Sequence, residues 1–231
     1  MPNHVRNMLS YSGEPELVKE FLDRIKGVDE DGEAHAIDFN SVIPMPPELN
    51  ISDSSDGDAA MKHILGVGKE GYDDFEWIKF KSFRTVEQIE QAVELGRQYI
   101  ENLKNHGCKT WYDWSRNNWG TKWNAYDIEH NVCSPSSGCI SFDTAWAAPI
   151  EVITKIAATF PEIHLDYIFA DEDTGYNTGR GFSDNGELFM SYPTGGSNEA
   201  YELYFQTHEE YRDEWEKVDG EWRYKEDYEE A

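Results

Sequence analysis

The 231-residue chain contains no run of 18 apolar residues, so nothing in it reads as a membrane-spanning helix. Positive charge is scarce: 20 Lys and Arg stand against 46 Asp and Glu, a formal net charge of −26. Phosphate backbones and anionic lipid surfaces would be repelled, which argues against direct nucleic-acid or membrane affinity. Three cysteines are odd in number and sit in a chain long enough to build a core, so reduced thiols are expected. The opening MPNHVRNMLSYSG lacks the charged-then-apolar pattern of a signal peptide, and a cytoplasmic setting is expected.

Several chemical signatures are also missing. No Gly-x-Ser-x-Gly elbow occurs. GVGK at Gly66–Lys69 lacks the glycine spacing and the hydroxyl residue of a phosphate loop, and GRG at Gly179–Gly181 follows no strand-to-helix turn. His106, Cys108, His130, Cys133 and Cys139 form no Cys-x-x-Cys knuckle and read as unligated. DEDTGYN, from Asp171 to Asn177, places its glycine one position early for a calcium loop and has no distant bidentate Glu. It reads as an acidic turn. No metal, cofactor or catalytic residue is assigned.

What is present is a chain that is 39% hydrophobic and 14% aromatic, enough for a packed core despite a mean hydropathy of −0.74. Its charge is unevenly distributed. Residues 199–231 hold thirteen Asp or Glu against four Lys or Arg, whereas residues 104–127 hold Lys104, Lys109, Arg116 and Lys122 against Asp113 and Asp127. An acidic surface of this strength suits a solvated face, or a face that occupies the DNA-binding groove of a basic protein.

The hydrophobic pattern predicts two β-α-β units. HVRNMLSYSG reads as a strand, and EPELVKEFLDRIKG as a helix opened by Pro15, with Leu17, Phe21 and Ile25 on one face and Gly27 at its end. AHAIDFNSVIPMPPEL is expected as a strand through Phe39 and Ile43. Later, GCISFDTAW, APIEVITKIAATF and IHLDYIFA repeat the strand–helix–strand order. The predicted class is α+β: ferredoxin-like split βαβ units sharing an antiparallel sheet. The boundaries are a first unit at 1–47, a helical insertion at 48–110, a second unit with a hairpin at 111–195, and an acidic C-terminal extension at 196–231. One domain over 1–231 is expected.

Within the insertion, NISDSSDGDAA reads as a polar loop. TVEQIEQAVELGRQYIENLKNHG reads as a helix with a Thr85–Gln88 capping box and a Gly107 stop. Its stripe is Val86, Ile89, Val93, Ile100 and Leu103, and Gly96 inside it marks a close backbone approach. Asp184-Asn185-Gly186 signals a hairpin, Ser197 caps a helix over SNEAYELYFQTHEEY, and Asp219-Gly220 signals a terminal hairpin, with a continued helix as the alternative.

WYDWSRNNWGTKWNAYD, residues 111–127, concentrates Trp111, Trp114, Trp119 and Trp123, half of the eight tryptophans, in locally basic sequence. Asn117-Asn118 and Gly120 read as a turn, and TKWNAYDI as a strand. The indoles can cover the sheet, or they can line a shallow groove with Asn117, Asn118, Trp119, Lys122, Trp123, Asn124 and Asp127 as ligand-binding residues. An N-terminal Pro2 base with Arg6 as its partner is a further enzymatic possibility.

MPNHVRN, DFNSVIPMPPEL, NNWGTKWNAYD, FDTAWAAPIEVI and FADEDTGYNTG, in order from residue 1 to about residue 179, resemble the YubB-like family of ferredoxin-like proteins of bacterial plasmids, phages and integrated elements. The resemblance implies a ferredoxin-like α+β domain, a bacterial cytoplasmic setting and a mobile-element origin. It implies no activity and no iron–sulfur cluster. The expected function is a non-enzymatic accessory protein that binds a macromolecule, with a basic host protein as partner and DNA mimicry as the most concrete version. A small-ligand binder or enzyme using the Trp119–Asn124 groove is the alternative.

Overall fold

The computed structural model describes residues 3–28, 32–66 and 73–225. The elements run β1 (His4–Ser12), α1 (Pro15–Ile25), β2 (Gly27–Val28), β3 (Ala34–His35), α2 (Phe39–Val42), α3 (Ser55–Leu65), α4 (Asp73–Ser82), α5 (Val86–His106), α6 (Trp111–Asn118), β4 (Tyr126–Ser134), β5 (Ser137–Ala145), α7 (Ile150–Thr159), β6 (His164–Asp171), β7 (Thr178–Asp184), β8 (Glu187–Ser191), α8 (Asn198–Thr207), β9 (Trp215–Val218) and β10 (Glu221–Tyr224). Short 3-10 segments at Pro47–Leu49 and Glu209–Glu214 complete the described chain. It divides into two compact units: Met1–Pro44 with Asn118–Ala231, and Met45–Asn117.

The first unit is built on a six-stranded sheet in the order β4-β5-β1-β6-β7-β8. β1 is antiparallel to both β5 and β6, so those two strands run parallel with β1 between them, and α7 connects them. β1 and β4 are related in the same way across β5. Two split βαβ units therefore interleave in one antiparallel sheet, the ferredoxin-like arrangement.

β1 alternates strictly. Val5, Asn7, Leu9 and Tyr11 are buried, while His4, Arg6, Met8 and Ser10 are half-buried on the opposite face. The buried face meets Val18, Phe21 and Ile25 of α1 and Val152, Ile153 and Ile156 of α7, with Phe142 and Leu165 from the neighbouring strands. One polar network interrupts this apolar layer and is fully satisfied. Tyr167 donates to Asn7 Oδ1 (2.6 Å), and Asn7 Nδ2 donates to the Val5 carbonyl (2.8 Å) and to Thr144 Oγ1 (3.0 Å). On the opposite face α8 packs Tyr204 and Phe205 against Ala170, joined by Trp222 from the β9–β10 ribbon.

Residues 34–43 form only the two-residue β3 and then α2, because Asp38 accepts from the Asn40 N–H (2.8 Å) and caps a helix where a strand was expected. The strand that completes the first split unit is β4, which begins at Tyr126 rather than at Thr121. Glutamate, histidine and asparagine at the sheet edge hide it from a hydrophobic pattern.

In the second unit, residues 55–65 are helical rather than a loop. Ser54 accepts from the Asp56 N–H (3.1 Å), and Asp56 and Asp58 lie at the positive end of α3. α5 has the expected capping box at Thr85–Gln88 and its stop at Gly107. Its buried face is Ala92, Gly96, Tyr99 and Asn102, one position off the expected stripe, and Val86 is 72% exposed. A Cβ on Gly96 would lie 2.7 Å from the Met61 backbone nitrogen, so this glycine permits the close approach of α3. The hairpins at Asn185-Gly186 and Asp219-Gly220 and the Ser197 cap form as the sequence signals.

Candidate functional site

The face of the sheet away from α1 and α7 carries His4 and Arg6 from β1, Tyr126 from β4, and Ser141 and Asp143 from β5, because each strand turns alternate residues to that side. The C-terminal end of α8 and the 3-10 segment Glu209–Glu214 lie beside this face. Two cavities open there, of about 470 Å³ and 500 Å³, and both are lined by Arg6 and Asp143.

Carboxylates dominate the lining. Asp143, Glu172 and Glu214 contribute to the first cavity, and Asp127, Glu129, Asp143, Glu209 and Glu210 to the second. Among the described residues Arg6 is the only Lys or Arg lining either. Aromatic walls come from Tyr204, Tyr211, Trp215 and Tyr224. Arg6 is already engaged: it donates to Glu210 Oε1 (2.7 Å) and to the Thr207 carbonyl (3.2 Å), and its Nε lies 3.7 Å from Asp143 Oδ1.

Burial and crowding by like charge shape the titration here. Burial raises the Asp143 carboxyl above its ordinary range; Arg6 opposes the rise and Asp127 adds to it. Burial, then Asp143, Asp127 and Glu172, push the Tyr126 phenol up to about 12, and its hydroxyl is paired with His4 Nδ1 at 2.6 Å. Burial lowers His208, which stacks on Tyr204 with ring centroids 4.4 Å apart and pairs with Thr207 Oγ1 at 2.8 Å. A cation entering either cavity would relieve this carboxylate crowding and meet electron-rich ring faces.

The residues expected to form a groove are placed differently. Trp119 is buried, donates through Nε1 to the Ile43 carbonyl (2.9 Å), and meets Phe39 edge-on with centroids 5.9 Å apart. Asn124 receives the N–H groups of Phe39 and Ala125 on Oδ1 (both 2.9 Å) and donates to Asp38 Oδ1 (2.6 Å), which fixes the start of α2. The Lys122 ammonium sits between the Trp123 and Trp146 rings, 4.7 Å and 4.6 Å from their centroids. Asn117 is exposed on α6 in the other unit, its Nδ2 3.8 Å from Cys108 Sγ, and Asn118 is the half-buried last residue of α6. Asp127, exposed at the start of β4 with φ 49°, is the one member that lines the acidic cavities. The structure thus brings Trp119 and Asn124 together around α2, and Lys122 and Trp123 together around Trp146.

Arg6 was singled out by sequence only as a partner for Pro2, which lies outside the described residues. Asp143, Glu129, Glu209 and Glu210 were missed. The available signal was the alternation of β1 and β5, whose outward positions include His4, Arg6, Ser141 and Asp143. Among the described residues no three His, Cys, Asp or Glu side chains are grouped to hold a metal ion, and no helix is long and apolar enough to cross a membrane.

Comparison with known proteins bears on the unit that holds this cleft. Residues 118–218 match the family model of the ferredoxin-like domain in Api92-like protein. The matched stretch runs from the last residue of α6 to the end of β9 and includes every strand of the large sheet except β1. Among solved structures, the crystal structure of a protein Api92 from Yersinia pseudotuberculosis is similar with a TM-score of 0.41 and 10% identity, covering 84% of this chain and 99% of that one. No curated protein matches the chain. Neither matching description names an activity. The family similarity found is thus to Api92-like proteins, whereas the residue blocks resembled the YubB-like family.

Proposed function

We propose that the protein is a non-enzymatic binding protein whose acidic cleft takes Lys or Arg side chains of a basic protein partner. The observation that carries this reading is the pair of adjoining cavities lined, among the described residues, by seven carboxylates with Arg6 as the only Lys or Arg. The aromatic walls add cation–π contacts of the kind a guanidinium or ammonium group seeks. The net charge of −26 would steer a basic partner toward the chain and hold nucleic acid away. In its most concrete form the protein presents carboxylates where DNA would present phosphates. It would act as an accessory of a plasmid, phage or integrated element in the bacterial cytoplasm, the setting implied by the YubB-like resemblance.

Immobilised protein should recover a basic protein from bacterial lysate at low ionic strength, lose it as salt rises, and lose it to added duplex DNA. Recovery of nothing at low salt, or of a partner indifferent to DNA, contradicts the proposal.

A further inference from the structure

The two cavities of the acidic cleft have different walls. Among the described residues, Phe142 is the only Phe, Tyr or Trp lining the cavity of about 500 Å³, whereas Tyr204, Tyr211, Trp215 and Tyr224 line the one of about 470 Å³. Trp215 and Tyr224 are direct cross-strand partners on the β9–β10 ribbon and so share one of its faces. Their rings meet edge-on, with centroids 5.6 Å apart and planes at 84°. Tyr211 and Tyr224 are 43% and 45% exposed, which leaves their rings accessible to a ligand. Tyr204 is buried and already stacked on His208.

The carboxylates of the aromatic cavity are unequally engaged. Asp143 faces Arg6, and Glu172 accepts the His4 backbone N–H at 3.4 Å. Glu214, half-buried and next in sequence to Trp215, makes no hydrogen bond or ion pair through its side chain among the described residues. A carboxylate held against aromatic walls without a counter-charge is a place for a cation. Arg6 shows which form of cation the cleft accommodates. Its single planar guanidinium meets Glu210, Asp143 and the Thr207 carbonyl, which come from three different elements.

We propose that this cavity selects the guanidinium of an arginine side chain over the ammonium of a lysine, with Tyr211, Tyr224 and Glu214 as the selecting residues. The site belongs to the acidic cleft, so the inference rests on the function proposed above and narrows it to one kind of side chain. A guanidinium lies flat on a ring face while its N–H groups, all in its own plane, reach carboxylates at the ring's edge. The perpendicular pair of Trp215 and Tyr224 gives one ring for stacking and a second to close the edge, and Glu214 lines the same cavity. An ammonium gives up a tighter water shell on entering and has no plane to stack. The neighbouring cavity, rich in carboxylates and poor in rings, offers charge without that discrimination.

The test is fluorescence anisotropy of the full chain with two labelled peptides of equal length and charge, one with arginine and one with lysine as its cations, across a salt series. The parent chain should bind the arginine peptide about tenfold more tightly, as two cation–π contacts would give. That advantage should persist as salt weakens both peptides. Tyr211→Leu with Tyr224→Leu, at exposed positions, should bring the arginine peptide to the affinity of the lysine peptide with the melting temperature little changed. Glu214→Gln should weaken the arginine peptide several-fold. Three results overturn the inference: equal binding of the two peptides by the parent chain, an arginine preference that survives in the folded double variant, or unaltered arginine binding by Glu214→Gln. Each of them leaves the acidic-cleft reading standing, because cations are still bound. Binding of neither peptide at low ionic strength overturns both.

Discussion

Arg6 and Asp143 stand directly opposite each other on β1 and β5, the guanidinium Nε 3.7 Å from the carboxylate oxygen. The same guanidinium reaches Glu210 and the Thr207 carbonyl, so one side chain links two central strands to the end of α8. It is also the charge that holds the neighbouring carboxylates together. Arg6→Met keeps the aliphatic stem and removes these bonds. Because the pairs are partly exposed, the expected cost is about 1–2 kcal/mol rather than that of a buried ion pair, read by chemical denaturation. Carboxyl NMR should show Asp143 titrating higher still once the opposing charge is gone.

Stability should fall on the acid side through His208. Burial, with Arg6 adding to it, places the folded-state value below the ordinary 6.5, whereas Glu210 and Asp171 act in the opposite sense. The unfolded chain then binds more protons as pH falls below 6.5, and the stability present above that value is lost toward the lowered folded-state value. Asp143 works the other way in a lower window, since its raised carboxyl takes up a proton more readily in the folded chain. Denaturation midpoints between about pH 7.5 and 5 should decline, and His208→Phe, which retains the stack on Tyr204, should flatten that decline. An equal decline in the variant would assign the effect to other groups.

Trp119 is expected to behave as a core residue. Trp119→Phe loses the bond to Ile43 at a cost of about 1 kcal/mol, and Trp119→Ala should cost about 3–5 kcal/mol. A ligand-stacking indole would tolerate alanine with little change in stability, so denaturation alone separates the two roles.

Asn124→Ala removes an acceptor for two backbone donors and a donor to Asp38, leaving the start of α2 without its anchor. The expected loss is about 1–3 kcal/mol. Amide exchange should accelerate at Phe39 and Ala125 while Leu9, deep in the sheet, stays protected.

Elements that carry their own punctuation were legible in the sequence: Pro15 opening α1, Thr85 and Gln88 boxing α5, Asn185-Gly186 and Asp219-Gly220 turning hairpins. The partner strand of β1's split unit was not. β4 sits at the sheet edge, where most of its side chains are exposed and no hydrophobic alternation survives, and residues 45–117 separate it from α1 as a compact unit of their own. Proline-rich sequence after Ile43 suggested the end of a strand, although Asp38 had already committed those residues to a helical turn. The acidic cleft was invisible for a related reason. Its carboxylates come from β4, β5, the turn after β6 and the segment after α8, so only the sheet order brings Glu129 and Glu209 to one cavity. Net charge suggested a cationic partner but carried no sign of which surface would receive it.

The most direct test of the acidic cleft is a salt series of binding by a fluorescent Lys/Arg-rich peptide to three forms of the full chain. One carries Asp127→Asn, Glu129→Gln and Glu209→Gln in the cleft; another carries Glu87→Gln, Glu90→Gln and Glu101→Gln on exposed positions of α5; the third is the parent. Both variants remove the same formal charge. The account predicts binding that weakens with salt, a loss of about tenfold or more in the cleft variant, and little change in the α5 variant. Equal losses in the two variants, or no binding at low ionic strength, would contradict it.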